Sequence, residues 1–335
     1  MTSNLQKLTQ KLKNILDDGE VIVLGGGKSS EKDASRITSD RVLRSLQNLE
    51  IKSQLLDPEV YKNSLLEKLK KARIVFLGLH GGYGEDGTIQ GWLDFNSIKY
   101  TGSNALTSAI GMNKIVTKKL FVSNKIPTPE FVEYIECGSF KSFIDKSQKL
   151  LKYPFFIKIA NEGSGNGVFL VSNKVEFEKI LLNLNSNTKL EMLYSEKFIK
   201  GRELSVCTLD VGNKSIVLPI LEAKFDGEFF DKEIRSKPNG YINDVPAKLP
   251  ETVVNQIKNI AILSHKSLFA SSYLRLDIRL EEKTNIPYVI EITTLPGLTE
   301  KSWLPAMSQS YGYSFDELVV IILLSAFENK YDTKN

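Results

Sequence analysis

The residues best suited to chemistry lie late in the chain, in two apolar runs that predict neighbouring strands. Arg275 and Asp277 alternate with apolar residues in the first run, and Glu291 and Thr293 do so in the second. Side chains two positions apart on a strand share a face, so pairing of the runs would gather an arginine, two carboxylates and a hydroxyl. Two carboxylates beside a phosphate can bind Mg²⁺, and an arginine can stabilise a transferring phosphoryl group. An ordinary salt-bridged sheet surface would have the same spacing.

A second candidate is the polar loop 161–167, between two apolar runs that predict an antiparallel hairpin. Its three glycines let backbone N–H groups approach an anion closely, although a flexible surface turn would have the same composition. Lys158 favours the anion-binding interpretation, because a lone cation in an otherwise apolar strand needs an anionic partner. The loop lacks the residue order of a Walker P-loop.

Two glycine-rich segments, 25–27 and 81–87, follow predicted strands in the first third of the chain. Ligands of parallel sheets bind at the carboxyl ends of the strands, where both segments would lie. His80 is better interpreted as a positioned polar group than as a general base. Glu31, predicted in the first turn of a helix, would either complement the helix dipole or hold a substrate ammonium.

Apolar periodicity predicts the elements that position these residues. A helix should begin at a Ser3 cap and end near Asp18, and a second should run from a Ser29 or Ser30 cap to about Leu49. The remaining predictions are strands at 21–24, 53–57 and 74–79, a helix at 64–71, strand pairs at 155–159 with 167–171 and at 273–280 with 288–293, and a helix at 314–327. Strands that alternate with helices in the first third predict a parallel α/β sheet.

Composition excludes several classes of protein. The chain has 335 residues and a formal net charge of +4, with both signs interspersed, so we expect no nucleic-acid partner. Its most apolar stretch, 318–327, is too short for a membrane span and should be a buried helix. Cys137 and Cys207 are widely separated, and with His80 and His265 as the two histidines a structural zinc site or disulfide scaffold is not expected. Without a signal sequence, we expect a cytoplasmic protein.

The ordered motifs of the chain resemble those of the D-alanine–D-alanine ligase family, in the ATP-grasp superfamily, over residues 20–327. The matching segments are Gly26-Gly27-Lys28-Ser29-Ser30-Glu31, Leu79-His80-Gly81, Gly84-Glu85-Asp86-Gly87-Thr88-Ile89-Gln90-Gly91, Tyr100-Thr101-Gly102-Ser103, Met112-Asn113-Lys114, Glu196-Lys197-Phe198-Ile199-Lys200-Gly201-Arg202-Glu203, Arg275-Leu276-Asp277 and Glu291-Ile292-Thr293-Thr294-Leu295-Pro296-Gly297-Leu298-Thr299. The resemblance implies an ATP-grasp fold. It would comprise an extra N-terminal helix (1–18), a Rossmann-like parallel-sheet domain (19–102), and a central (103–198) and a C-terminal (199–335) α+β subdomain that sandwich ATP.

The resemblance also implies a role for each site residue. ATP would be bound by Lys114, Lys158, Ser164, Glu196, Lys197, Phe198, Ile199 and Glu203. One or two Mg²⁺ ions, replaceable by Mn²⁺, would be bound by Asp277, Glu291 and Thr293. The catalytic groups would be Arg275, Gly297, Ser164 and Glu31. The substrates would contact Glu31, His80, Arg235, Ser236, Ser302 and Trp303.

The activity that the resemblance implies is ATP-dependent joining of a carboxylate to an amine through an acyl phosphate. We expect two D-alanine molecules as substrates, in the synthesis of a peptidoglycan precursor by a homodimer. Two alternatives stay open: a ligase of the same mechanism that joins another amino acid and carboxylate pair in a specialised pathway, and a nucleotide-binding protein without turnover.

Several positions depart from the family pattern and favour these alternatives. Thr293 replaces an asparagine, and a hydroxyl is a weaker magnesium ligand than an amide oxygen, so a second metal would be loosely held. Arg235 and Ser236 replace a Lys-Tyr pair whose tyrosine hydroxyl joins the lid to the glycine loop and to the first-helix glutamate. Ser236 is too short to span that gap. Trp303 replaces a small aliphatic residue and would add bulk to the second-substrate pocket.

Overall fold

The first third of the chain contains a parallel sheet, as its alternating strands and helices predict. The computed structural model describes residues 2–163, 165–184, 189–237 and 239–328, without the side chains of 232 and 236. The first elements are α1 (Ser3–Leu16), β1 (Glu20–Leu24), α2 (Lys32–Asn48), β2 (Ser53–Leu56), α3 (Leu65–Leu69), β3 (Ala72–Leu77) and α4 (Thr88–Phe95). The strand order is β2-β1-β3, and both pairings are parallel. β1 and β3 are buried along most of their length, which explains their apolar sequences.

Two helices begin at residues other than those predicted. The N-cap of α1 is Thr2 rather than Ser3. α2 begins only at Lys32, because the Ser29 hydroxyl accepts a hydrogen bond from the Glu31 amide (3.1 Å) and forms a turn before the helix. Glu31 is therefore the residue immediately before the first helical turn rather than inside it.

Gly25, which follows β1, allows α2 to approach the sheet closely. A Cβ atom at this position would lie 2.1 Å from the Ser39 hydroxyl oxygen. That hydroxyl also donates to the carbonyl oxygen of Gly78, beyond the end of β3 (3.3 Å). The glycine thus brings the middle of α2 against the carboxyl ends of two strands, where the predicted ligand loops begin.

The middle of the chain forms an antiparallel sheet. Its elements are α5 (Ala105–Met112), α6 (Lys114–Ser123), β4 (Phe131–Glu133), α7 (Phe140–Leu151), β5 (Phe155–Ile159), β6 (Val168–Val171), α8 (Lys174–Leu182) and β7 (Leu193–Lys197). The strand order is β4-β7-β5-β6, and every neighbouring pair is antiparallel. The predicted hairpin around the glycine loop is confirmed as β5 and β6.

The last part of the chain contributes a six-stranded sheet. Its elements are β8 (Gly201–Val211), β9 (Lys214–Val217), β10 (Leu221–Phe225), α9 (Lys232–Ser236), β11 (Tyr241–Asp244), α10 (Glu251–Ser267), β12 (Tyr273–Glu281), β13 (Pro287–Thr293), α11 (Trp303–Tyr311) and α12 (Phe315–Phe327). Five strands run in the order β11-β10-β8-β12-β13, and β9 pairs with β8. The predicted antiparallel pair is confirmed as β12 and β13.

α12 joins the first and last units of the structure. It begins with a capping box between Ser314 and Glu317, and nearly all of its residues are buried. The helix packs against α1, α2 and β8 within one continuous apolar core.

Among the described residues, no single helix has the length and apolar composition of a membrane span. α11 and α12 reach that length and composition only together, as a pair bent by 101°. The three sheets agree with the predicted three-unit plan, whereas boundaries after residues 18, 102 and 198 stay predictions.

Candidate active site

Four of the predicted site residues face one another across β12 and β13. Arg275 pairs directly with Thr293, and Asp277 pairs with Glu291. Within β12, the Arg275 guanidinium makes two hydrogen bonds to the Asp277 carboxylate, from Nε to Oδ1 (2.9 Å) and from Nη2 to Oδ2 (2.8 Å). The observed register brings the two faces predicted from alternation together, and it gathers one arginine, two carboxylates and one hydroxyl.

Glu291 is held as an anion by the cations around it. Lys114 Nζ lies 3.2 Å from Glu291 Oε2. Burial raises the pKa of Glu291, but Lys114, Arg235, Lys158 and Arg275 together outweigh this effect and lower its pKa to about 2. A carboxylate of such low pKa is available to a metal ion at neutral pH.

The donor set fits a divalent cation that shares its ligands with a phosphate. Across the described ranges, no group of three or more His, Cys, Asp or Glu residues could hold a metal alone. Asp277 and Glu291 supply carboxylate oxygens, and Mg²⁺ commonly completes an octahedron with phosphate oxygens and water. The two carboxylates would therefore hold Mg²⁺ together with a bound nucleotide.

A cavity of about 120 Å³ lies between the central and last sheets. Its walls include Phe156 on β5, Phe198 after β7 and Phe229 after β10. The Phe156 ring packs edge-to-face against both others, with centroid distances of 5.5 Å and 5.2 Å. Lys197, Ile199 and Glu203 also line the cavity. The combination of aromatic walls and charged rims is suited to a flat base that carries a polyanion.

Two lysines share one buried carboxylate at the floor of this cavity. Lys158 Nζ donates to Glu196 Oε1, and Lys118 Nζ lies 2.6 Å from Glu196 Oε2. Burial raises the pKa of Glu196, and the two lysines reverse that effect and lower it. Lys158 is therefore not the lone cation from which a bound anion at the glycine loop was predicted, because the protein itself supplies Glu196 as its anionic partner.

Sequence reasoning did not identify Lys118 or Arg279. Lys118 is fully buried, and its ammonium also donates to Thr128 Oγ1 (2.6 Å). Arg279 Nη1 donates to Glu203 Oε2 (2.8 Å), and burial raises the pKa of Glu203 despite this partner. Arg279 was recognisable, since it continues the alternation of Arg275 and Asp277 on β12, whereas nothing local in the sequence distinguishes Lys118 from its neighbours.

A second, larger cavity of about 460 Å³ lies between the first unit and the β12–β13 pair. Glu31, His80, Arg275, Thr293 and Ser302 are among its lining residues. Lys114, Glu162, Gly163, Arg235 and Glu291 line both cavities. The two spaces therefore meet at the Lys114–Glu291 ion pair.

His80 and Gly297 are held in place by hydrogen bonds and close packing. The His80 Nε2 atom lies 2.9 Å from the Thr38 hydroxyl, which accepts a hydrogen bond from the Leu298 amide (3.2 Å). A Cβ atom on Gly297 would lie 2.8 Å from the Ser302 hydroxyl oxygen. His80 is thus a fixed polar group, as predicted, and only glycine leaves the 297 backbone open beside Ser302.

Comparisons with known proteins identify the family of the chain. A family model described as "D-ala D-ala ligase C-terminus" matches residues 120–324, and one described as "D-ala D-ala ligase N-terminus" matches residues 51–103. A D-alanine–D-alanine ligase from Carboxydothermus hydrogenoformans is 33% identical over 312 residues, which cover 92% of this chain and 98% of that protein. The chain belongs to the D-alanine–D-alanine ligase family.

Solved structures of D-alanine–D-alanine ligases have the same fold. One from Bacillus anthracis, complexed with ATP, is 31% identical, with a TM-score of 0.77 and coverage of 92% of this chain and 97% of that chain. A D-alanyl-alanine synthetase A from Vibrio cholerae is 22% identical, with a TM-score of 0.79 and coverage of 92% and 98%. The α/β ATP-grasp class and an ATP-dependent, amide-forming enzyme are therefore established for this member of the family.

The positions that depart from the family pattern lie near the junction of the two cavities. The Arg235 guanidinium lies over the Phe230 ring, 4.8 Å from its centroid. Trp303 is buried behind Arg275 and does not appear in the described lining of the larger cavity, where its bulk was predicted. Ser164 and the side chain of Ser236 lie outside the described part of the structure, and their roles stay predictions.

Proposed function

We propose that the protein joins two D-alanine molecules with ATP and supplies the dipeptide for peptidoglycan synthesis. The observation that carries this proposal is that both cavities open onto Lys114 and Glu291. A nucleotide in the smaller cavity would direct its terminal phosphate at a carboxylate in the larger one.

The reaction would proceed in two steps. A carboxylate oxygen of the first amino acid would attack the γ-phosphorus, with departure of ADP. The amine of the second would then attack the acyl carbon, lose a proton and expel phosphate. Phosphorylation is needed because a free carboxylate is a poor electrophile with no good leaving group.

Each charged residue of the site would have a separate role in this reaction. Lys114 and Lys158 would bind the phosphates, and Arg275 would stabilise the charge that develops between the cavities. Mg²⁺ on Asp277 and Glu291 would neutralise phosphate charge. Glu31 would hold the ammonium of the first substrate, with His80 beside it.

The second substrate would bind on the opposite side of the larger cavity. Ser302, whose hydroxyl lies 3.0 Å from the Thr299 amide, would hold its carboxylate. The Gly297 N–H would donate to the oxyanion. The departures at Arg235 and Ser236 favour a second candidate function, in which the same chemistry joins a different amine or carboxylate.

The deciding experiment measures phosphate release from Mg-ATP by the purified protein. D-alanine alone is tested first, L-alanine serves as the stereochemical control, and a panel of amino acids and other carboxylates follows. Release with D-alanine supports the dipeptide ligase. If D-alanine gave no phosphate release but another pair of substrates did, the second candidate function would replace the dipeptide ligase. ATP binding without release under any condition would favour a non-catalytic protein.

Arg275→Ala is the matched inactive control for this assay. We expect turnover to fall by orders of magnitude with little loss of ATP binding, because an arginine that acts mainly in the transition state contributes little to ground-state affinity. Equal losses of binding and turnover would contradict the role given to Arg275.

We also propose that the enzyme is a cytoplasmic homodimer assembled through its first unit. The Phe95 side chain at the end of α4 is 89% exposed, and a second copy would cover it. Light scattering should give twice the chain mass for the native protein. A monomer at micromolar concentration would contradict the dimer.

A further inference from the structure

Two aromatic rings stack beside the junction of the cavities. Trp303 is the first residue of α11, and Phe230 lies in the connection between β10 and α9. Their ring centroids are 5.7 Å apart, and their planes differ by 25°. We refer to Trp303 and Phe230 as the aromatic pair. The pair joins a buried helix terminus to the segment that carries Arg235.

Each ring of the aromatic pair lies beneath an arginine. The Arg275 guanidinium carbon lies 5.3 Å from the Trp303 ring, and that of Arg235 lies 4.8 Å from the Phe230 ring. The negative face of an aromatic ring attracts a guanidinium, and the attraction is strongest for tryptophan in a desolvated place. Trp303 is only 7% exposed, so this contact is protected from water.

The indole lies against the Arg275 guanidinium. Asp277 holds one edge of the guanidinium through its two hydrogen bonds. A leucine at 303 would leave the same carboxylate contacts but would lack both the flat surface and the charge attraction. Arg275 would then gain freedom to rotate away from the direction of the second cavity.

The segment with Phe230 also contacts the nucleotide cavity. Phe229 lines that cavity and packs edge-to-face on Phe156, whereas the adjacent Phe230 packs on Trp303. The Glu228 carbonyl accepts a hydrogen bond from Arg279 Nη2 (3.2 Å). Consecutive residues thus attach the segment to the nucleotide side and to the reaction side.

We propose that Trp303 is a positioning residue, whose indole fixes Arg275 and, through Phe230, docks the segment 226–237 so that Arg235 faces both cavities. This inference rests on the proposed function. Trp303 therefore acts through arginines rather than through contact with a substrate.

The kinetic test compares three variants. We expect Trp303→Leu to lower kcat about tenfold, the loss of roughly one desolvated cation–π contact, with the KM for ATP nearly unchanged. Trp303→Phe should recover most of kcat, because a phenyl ring retains an attractive face. The matched control is Phe225→Leu, which removes a ring that packs on Phe230 at 5.2 Å but is not one of the two rings beneath the arginines. A wild-type kcat for Trp303→Leu, or equal losses in Phe225→Leu, would overturn the proposal.

A spectroscopic test works even if D-alanine is not the substrate. The chain has two tryptophans, so Trp92→Phe leaves Trp303 as the sole indole. We expect Mg-ATP to shift Trp303 emission, because phosphate charge that binds beside Arg275 changes the electric field at the indole. The shift should shrink when Phe230→Leu is added, because the segment is no longer docked. The proposal would be overturned, independently of turnover, if Mg-ATP did not change the Trp303 emission. An equal emission shift in the proteins with and without Phe230→Leu would also overturn it. Phe230→Leu also keeps the test open if Trp303→Leu does not fold.

Discussion

At the scale of single residues, the charges around Glu196 suggest how Lys158 stays available to bind a nucleotide phosphate. Lys158 lines the cavity and Lys118 does not, yet both contact this one carboxylate. If a bound phosphate took Lys158 as its partner, Glu196 would be left unpaired unless a second cation remained. An unpaired buried carboxylate costs free energy of folding. Lys118 is that second cation, and it would allow Lys158 to exchange Glu196 for a phosphate.

Lys118→Met should therefore raise the KM for ATP by about tenfold or more, because Glu196 would retain Lys158. The control is Lys119→Met, which removes the adjacent, half-exposed lysine paired with Glu133. Adding Glu196→Gln to Lys118→Met should restore part of the loss, since a neutral amide no longer competes for Lys158. An unchanged KM in Lys118→Met would contradict this account.

The pKa of Lys118 predicts that activity falls at alkaline pH. Burial, only partly offset by Glu196, lowers the pKa of Lys118 to about 8. As pH rises through this value the ammonium loses its proton, so kcat/KM for ATP should fall above about pH 8, since this ratio follows the free enzyme. In Lys118→Met this limb should be absent, and its persistence there would assign it to another group.

Four of the predicted site residues could be identified because they obey strand alternation. Arg275, Asp277, Glu291 and Thr293 required only a period of two and a hairpin register. Lys118 was not predictable, because its environment is made by Thr128 and Glu196, which lie on other elements. The position of Trp303 behind Arg275, rather than in the cavity, likewise depends on packing of α11 against a distant segment.

At the scale of elements, α1 is tied to α12. Thr2 and Asn4 donate to Glu317 Oε1 (3.2 Å and 2.8 Å), and Lys11 pairs with Glu328. Leu5, Leu12 and Leu16 are buried in the core that α12 shares. α1 is thus an integral part of the first unit, packed on the body of the protein.

Leu12→Ala should lower the free energy of unfolding by about 3 kcal/mol, the usual cost of a cavity left by a fully buried leucine. Because α1 is remote from both cavities, kcat below the unfolding transition should not change. Urea denaturation measures the first quantity, and the exposed Lys7→Ala variant is the control. Equal stability of the two variants would mean that α1 is not part of the cooperative core.

The local elements could be predicted better than their assembly. Strands β1, β3, β5, β12 and β13 were visible as apolar runs, and the capping box of α12 marks its start. The pairing of β8 with β12 could not be predicted, because those strands are separated by α10 and four other elements. The start of α2 was missed because the Ser29 hydroxyl forms a turn instead of a cap.

At the scale of the whole molecule, the candidate active site lies at a junction between units rather than within any one of them. The first unit supplies Glu31 and His80, the central sheet supplies Lys158 and Glu196, and the last sheet supplies the carboxylates. Ligands that bridge such units stabilise the folded state through binding alone.

Mg-ATP at about one hundred times its Kd should stabilise the folded protein by about 2.7 kcal/mol. Removal of the metal with EDTA should reduce this effect, because Asp277 and Glu291 would then repel the phosphates. Differential scanning calorimetry with ATP, with and without EDTA, measures the change, and Glu291→Gln should be less sensitive to EDTA. The same shift with and without metal would contradict a metal ion between these carboxylates and ATP.

The contact between α1 and α12 also constrains when the fold can be completed during biosynthesis. The two residues joined by the Thr2–Glu317 hydrogen bond are 315 positions apart, so on the order of 15–60 s of translation separate them. Throughout that interval the nascent chain displays the leucines of α1 without their final partner. α1 is therefore synthesised well before α12, and the apolar core that the two helices share can be completed only after α12 has been made.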